Sequence, residues 1–243
     1  MEKNINFIPM AAILGVALII AASLVAGTIY KIKALDNTLV VTGSAKVKVS
    51  SDLVKWTMRF SRNVPVTDLK KGYSDMERDL GVVKSFFKNN GIEGGSLVIS
   101  PVFADKNYSY EKTGNAPDVY MLQQTVEVQS NDIGKIRSLA ADTKYIIDNG
   151  VIFSPQAPEY YYTKLSESRI ELLGEAVKDA KLRAGKIAES GGQKVGSLRS
   201  TSVGVTQVTA INSIDSISDY GAYDTSTEEK EVMVTVRAIF GIR

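Results

Sequence analysis

The sequence predicts an α+β protein: an N-terminal transmembrane helix, then antiparallel strands with helices packed on one face. Three observations carry this reading. An uncharged apolar run opens the chain. Several later segments alternate polar and apolar residues with the two-residue period of a half-buried strand. Two long segments repeat their apolar residues at intervals of three and four, the period of an amphipathic helix. Strands that follow one another without a helix after each belong to α+β rather than α/β architecture.

Between Lys3 and Lys31 lie 27 residues without a charge, and Phe7 to Tyr30 reads FIPMAAILGVALIIAASLVAGTIY. A bilayer core of about 30 Å takes about 20 apolar helical residues. Residues 1–33 are therefore expected to form a membrane anchor, with the membrane as partner from Phe7 to Tyr30. The apolar core of a secretory signal is shorter, about 7–15 residues. That favours an uncleaved signal anchor over a cleaved signal and a soluble periplasmic domain, although Val25-Ala26-Gly27 offers small residues of the kind found at cleavage sites. Flanking charge does not clearly place the domain outside: Glu2 offsets Lys3, while Asp36 offsets only one of Lys31 and Lys33, so the bias taken alone tilts slightly the other way.

Residues 38–243 are expected to form the folded domain. Thr38 to Val49 alternates as a strand, and Ser50-Ser51-Asp52 is a turn cluster. Trp56, Met58 and Phe60 then share one face, opposite Lys55, Thr57, Arg59 and Ser61, so these two strands are expected to pair as a hairpin. After Pro65, an apolar stripe of Leu69, Tyr73, Met76, Leu80, Val83 and Phe87 marks a helix, with Thr67 or Asp68 to cap it and Asn90-Gly91 to end it. A strand at 96–104 follows, with Pro101 marking an edge or bulge. A polar loop leads to a strand at 119–129, a shorter helix begins at Asn131 or Asp132, and a short strand is expected at 150–154.

The longest helix is expected from about Lys164 to Ser190. Ala176, Ala180, Ala184 and Ala188 are spaced one turn apart on it, which lets another backbone approach closely. Gly191-Gly192 stops it; strands at 195–208 and 231–242 flank a second polar loop. The strand, helix, strand, strand order of 53–129 recurs in 150–242, an approximate βαββ duplication.

Composition narrows the chemistry. The chain of 243 residues has no cysteine and no histidine. Thiol nucleophiles, disulfides, Cys/His zinc sites and imidazole-dependent triads are all excluded. Lysines and arginines number 29 against 27 acidic residues, with the signs interspersed, so no nucleic-acid footprint is present.

Val41-Thr42-Gly43-Ser44-Ala45, followed by Ser51-Asp52 and the Trp56 strand, resembles the opening of SIMPL-domain proteins. ELLGEAVKDAKLRAGKIAESGGQKVGSLRS resembles that family's alanine-rich helix, glycine turn and strand, and VMVTVRAIFGI its final strand. Residues 212–232 resemble a loop of one bacterial branch. The resemblance spans about 38–243. It implies a bacterial periplasmic or envelope protein without established enzymatic activity, in a family where some members form ring- or cage-like homo-oligomers and some are linked to oxidative-stress tolerance.

Two polar loops supply the candidate sites. Tyr108, Tyr110, Tyr160, Tyr161, Tyr162, Tyr220 and Tyr223 gather in loops or at element ends, and tyrosine suits interfaces because it joins apolar area to a polar tip. Some of these rings are equally expected to cover core edges. Asp215, Asp219, Asp224 and Glu228 offer oxygens to a hard cation, but their spacing departs from the EF-hand pattern. Asp105 and Asp118 flank the first loop, where an acid–base pair with a carboxylate of the second loop is a conceivable arrangement, set against simple solvation. No catalytic residue, cofactor or metal is expected. The resulting expectation is a non-enzymatic, membrane-anchored envelope protein that self-associates as a homo-oligomer, its bulk on the extracytoplasmic side. The alternative is a ligand-binding module for a cation, sugar or peptide, its small-molecule ligand unknown, using the Tyr/Asp-rich loops.

Overall fold

The structure, a computed structural model, describes residues 7–35, 37–108, 117–213 and 220–243. In chain order the elements are α1 (Phe7–Leu35), β1 (Thr38–Ser50), β2 (Leu53–Pro65), α2 (Leu69–Asn89), β3 (Leu97–Ile99), β4 (Phe103–Lys106) and β5 (Val119–Ser130). Then come α3 (Ile133–Ala141), α4 (Lys144–Asp148), β6 (Phe153–Pro155), β7 (Glu159–Tyr161), α5 (Leu165–Ser190), β8 (Val195–Val203), β9 (Gln207–Ala210), β10 (Ala222–Tyr223) and β11 (Glu229–Ile242). The mixture of helices and mostly antiparallel strands is the α+β class the sequence predicts. The chain forms two compact units. One holds 1–46, 169–206 and 233–243; the other holds 47–168 and 207–232.

In the first unit, α1 carries the apolar segment. Its span Ala11–Tyr30 has a mean hydropathy of 2.5, and none of it is buried. The core of this unit is small: Val41, Ala180, Ala184, Ala238 and Phe240, with Leu39 and Val195 against them. Ala176, Ala180, Ala184 and Ala188 are all buried, as their one-turn spacing predicts, whereas Ile187 of the same helix is exposed. Gly43 on β1 answers this alanine row, because any side chain there would collide with the Ala176 carbonyl. The Asp179 carboxylate accepts the Ser44 N–H at 2.8 Å, fastening helix to strand by a polar contact as well.

The expected hairpin of β1 and β2 does not form. The two strands lie in different sheets, β1 beside β11 and β2 beside β5. The ladder of β1 and β11 is antiparallel: Ile242 donates to the Asn37 carbonyl at one end, and Ser51 to the Glu228 carbonyl at the other. Alternation tells a strand which face is buried but does not choose its partner. The turn is also occupied elsewhere, since Asp52 N–H donates to the Tyr161 carbonyl. The duplication shifts accordingly. β2, α2, β3/β4 and β5 form one repeat with strand order β3/β4–β5–β2, and β1, α5, β8 and β11 form the other with order β8–β11–β1. The second repeat thus begins with β1, and the short strands near 150–161 extend the first repeat's sheet.

The second unit is built on β2 and β5, paired from Val54↔Ser130 to Pro65↔Val119. β3 and β4 add to β5, β6 and β7 to β2, all antiparallel. Pro101 interrupts what the sequence reads as one strand, because it cannot donate to the ladder. Met76, Val83, Phe86 and Phe87 of α2 share one core with Trp56, Met58 and Phe60 of β2. Trp56 meets Phe87 edge-to-face at 5.9 Å, and its indole N–H donates to the Gln156 carbonyl at 2.9 Å. The shorter helix divides into α3 and α4, with Asp132 capping the first through the Lys135 N–H. Asp79 is buried on the inner face of α2 and takes a two-bond grip from Arg62, at 2.5 and 2.9 Å.

Candidate functional site

Tyr108 and Tyr161 lie far apart. Tyr108 follows β4, whose Lys106 is in register with Tyr120, and Tyr120 faces Val64 near the end of β2. Tyr161 on β7 faces Leu53 at the start of β2. Eleven strand residues at about 3.3 Å each separate these positions by roughly 36 Å. An acid–base pair between Asp105 or Asp118 and the Asp224 or Glu228 carboxylate is therefore ruled out by distance. Asp118 instead pairs with Lys106 at 2.9 Å, and the Lys106 ammonium stands 5.6 Å from the exposed Tyr108 ring. Tyr110, Asp215 and Asp219 lie outside the described residues.

At the other end the structure builds a connected cluster. Tyr160 is buried in the core, and its N–H donates to the Thr225 carbonyl. Tyr161 and Tyr223 stack with ring centres 6.0 Å apart. The Tyr223 hydroxyl accepts the Tyr162 N–H at 2.9 Å, and the Tyr162 hydroxyl meets the Ser168 hydroxyl at 3.0 Å. Asp52 accepts both the N–H and the hydroxyl of Thr163, at 2.8 and 2.7 Å. The Tyr161 hydroxyl donates to Glu159 at 2.7 Å; that bond, with burial and the Glu159 charge behind it, pushes its pKa up to about 12. Tyr220, by contrast, is almost fully exposed.

Asp224 sits in this cluster but is spent internally. Short β10 pairs parallel with β9, Tyr223 against Val208, and the Asp224 N–H donates to the Val208 carbonyl. One carboxylate oxygen accepts the Ser226 N–H and hydroxyl, and the other accepts the Thr227 hydroxyl. Burial alone would raise this carboxyl, but those hydrogen bonds and the Lys230 charge outweigh it and hold the pKa near 2. Lys230 is fully buried and donates to the Asp224 and Thr227 carbonyls, with an Asp224 carboxylate oxygen 3.7 Å away. Its ammonium occupies the place where a bound cation would gather the same oxygens. Among the described residues no group of three or more acidic side chains is arranged to hold a metal.

Glu159, Thr163 and Lys230 join this cluster without a motif that marks them, and Asp52, read from the sequence as a turn residue, joins it through Thr163. Lys230 alone carries a readable signal, because the two-residue period of Val232, Val234 and Val236 extends back to it on the buried face.

The structure thus combines an N-terminal apolar helix, two α+β units and a tyrosine cluster braced by internal hydrogen bonds. The SIMPL profile, described as a protein of unknown function (DUF541), matches residues 39–240. The chain belongs to the SIMPL family. No curated protein matches it.

Proposed function

We propose that the chain is a non-enzymatic, single-pass membrane protein whose SIMPL domain lies on the extracytoplasmic side and associates with copies of itself. The observation that carries this is the exposed apolar span of α1, 20 residues from Ala11 to Tyr30 with none of it buried. Each large apolar side chain left in water forgoes about 1.5–3 kcal/mol, which supports a bilayer as the setting of this helix. Exposed apolar side chains such as Val98 on β3 and Phe103 on β4 are surfaces that such association would use. A role in stress tolerance follows from the family resemblance alone and brings no residue with it.

Light scattering of the full-length chain in detergent tests the association: a multimer is expected, and a clean monomer at micromolar concentration refutes it. An alkaline-phosphatase fusion after Arg243 tests the side, with an active fusion expected. The cation version of the ligand-binding alternative loses its best described ligand, since Asp224 already satisfies its own loop.

A further inference from the structure

The first unit carries a feature that neither the tyrosine cluster nor self-association uses. A shallow groove of about 750 Å³ runs beside the C-terminal half of α5 and the turn that follows it. Leu182 and Val195 give it apolar surface, and Lys178, Lys181, Lys186 and Lys194 line it against the single carboxylate of Glu189. Lys178 and Lys186 pair with Glu175 and Glu189 of their own helix. Such exposed pairs are worth at most about 1 kcal/mol and exchange readily for another anion. Leu182 is two-thirds exposed, an apolar side chain in a groove lined by lysines.

The position of this groove along the chain says what meets it. The apolar span ends at Tyr30, α1 continues to Leu35, and Asp36 alone separates it from Asn37. Five helical residues at about 1.5 Å each, then two Cα–Cα steps of about 3.8 Å, keep Asn37 within about 15 Å of the span's end. The Asn37 carbonyl accepts the Ile242 N–H, and the next residue, Arg243, exchanges two backbone hydrogen bonds with Lys194 at 2.6 and 3.0 Å. The Lys194 end of the groove is thereby tied to the point where the chain leaves the membrane. Ammonium groups on flexible stems beside apolar surface are complementary to a phosphate head on an acyl chain.

We propose that the C-terminal end of α5 and the 191–195 turn dock on the bilayer surface and take anionic phospholipid headgroups, through Lys181, Lys186 and Lys194. The proposal rests on the membrane-anchor reading of α1. Docking fixes the first unit against the membrane instead of leaving it to pivot on its tether.

The absence of cysteine gives a clean test. A single Gln193→Cys substitution in the full-length chain carries a fluorescent label into the groove, and the protein is reconstituted into nanodiscs containing a headgroup spin-labelled quencher lipid. Quenching is expected to be strong in discs with phosphatidylglycerol and weak in discs of phosphatidylcholine alone. It should collapse in about 1 M salt, where the screening length is about 3 Å. Replacing Lys181, Lys186 and Lys194 together by Gln is expected to lower headgroup occupancy about a hundredfold. Equal quenching in both lipids, indifference to salt, or quenching unchanged in the triple variant each overturns the proposal. The salt arm uses the unaltered lysines and so holds whatever the triple variant does to folding. A chain that stays out of the discs overturns the anchor reading and this proposal with it; a chain that enters without headgroup contact overturns this proposal alone.

Discussion

Gly43 on β1 lies so close to Ala180 on α5 that a methyl group at position 43 would stand 2.7 Å from the Ala180 methyl. The nearest obstacle is the Ala176 backbone carbonyl, which no rotamer change can move aside. Gly43→Ala is therefore expected to destabilise the chain by about 1–3 kcal/mol, as overpacking does. Gly174→Ala, on the same helix with open space around it, should instead stabilise by about 0.5–1 kcal/mol. Urea unfolding followed by far-ultraviolet circular dichroism measures both; equal effects of the two would contradict the close approach.

The grip of Arg62 on buried Asp79 makes a second test. Arg62→Met leaves a carboxylate in the core with only Arg78, at 3.5 Å, to replace two short hydrogen bonds. A loss of about 3–5 kcal/mol is expected, the usual cost of stripping one partner from a buried ion pair. Arg62→Met combined with Asp79→Leu should recover most of it, because both charges then leave the core. A double-mutant cycle in urea gives the coupling directly, and additive losses would show that the pair does not act as one unit.

Asp224 contributes to the acid limb of stability. Its pKa is about 2 in the folded chain against 3.8 ordinarily. A depressed carboxyl stabilises fully above its unfolded value, and the contribution disappears as the pH falls from about 4 towards 2. Allowing for solvent screening, it amounts to about 1 kcal/mol. Asp224→Asn should lower stability at neutral pH and converge with the parent near pH 2. Parallel curves throughout that window would remove Asp224 as the cause.

Tyr161 contributes to the opposite limb. Its hydroxyl, bonded to Glu159, is expected to ionise near pH 12, not near 10.0. A raised pKa means that the stabilisation is complete below about pH 10 and is lost between 10 and 12. Ultraviolet titration of the phenolates should show a late step that Tyr161→Phe removes and Glu159→Gln moves back towards 10. A late step unaffected by Glu159→Gln would assign the shift to something other than that bond.

What was legible in the sequence follows from which forces are local. The inward stripe of α2 and the alanine row of α5 declare themselves through helical spacing, and both helices lie within a residue or two of their expected limits. Pairing is not local. β1 looks like half of a hairpin, yet its partner β11 comes from the far end of the chain, and only Gly43, needed for contact with α5, hints at a packed strand. Polar residues on buried faces are hard to read for the same reason. Asp79 falls three residues after Met76, on the apolar side of α2, and Lys230 continues the inward face of β11. Each is in phase with the core, but its partner, Arg62 or the 224–227 carbonyls, becomes visible only once distant segments meet.

The single residue between α1 and Asn37 also bears on symmetry. In the assembly proposed above, copies whose domains all stand on one side of a bilayer would be related only by rotation about an axis normal to the membrane. Cyclic rings satisfy that condition; a closed shell of two rings back to back requires anchors pointing both ways and a second bilayer to receive them. Confinement to one plane would also raise the local concentration of domains and align them before contact, so in that proposed arrangement an interface too weak to hold a dimer in solution would suffice to close a ring on the membrane.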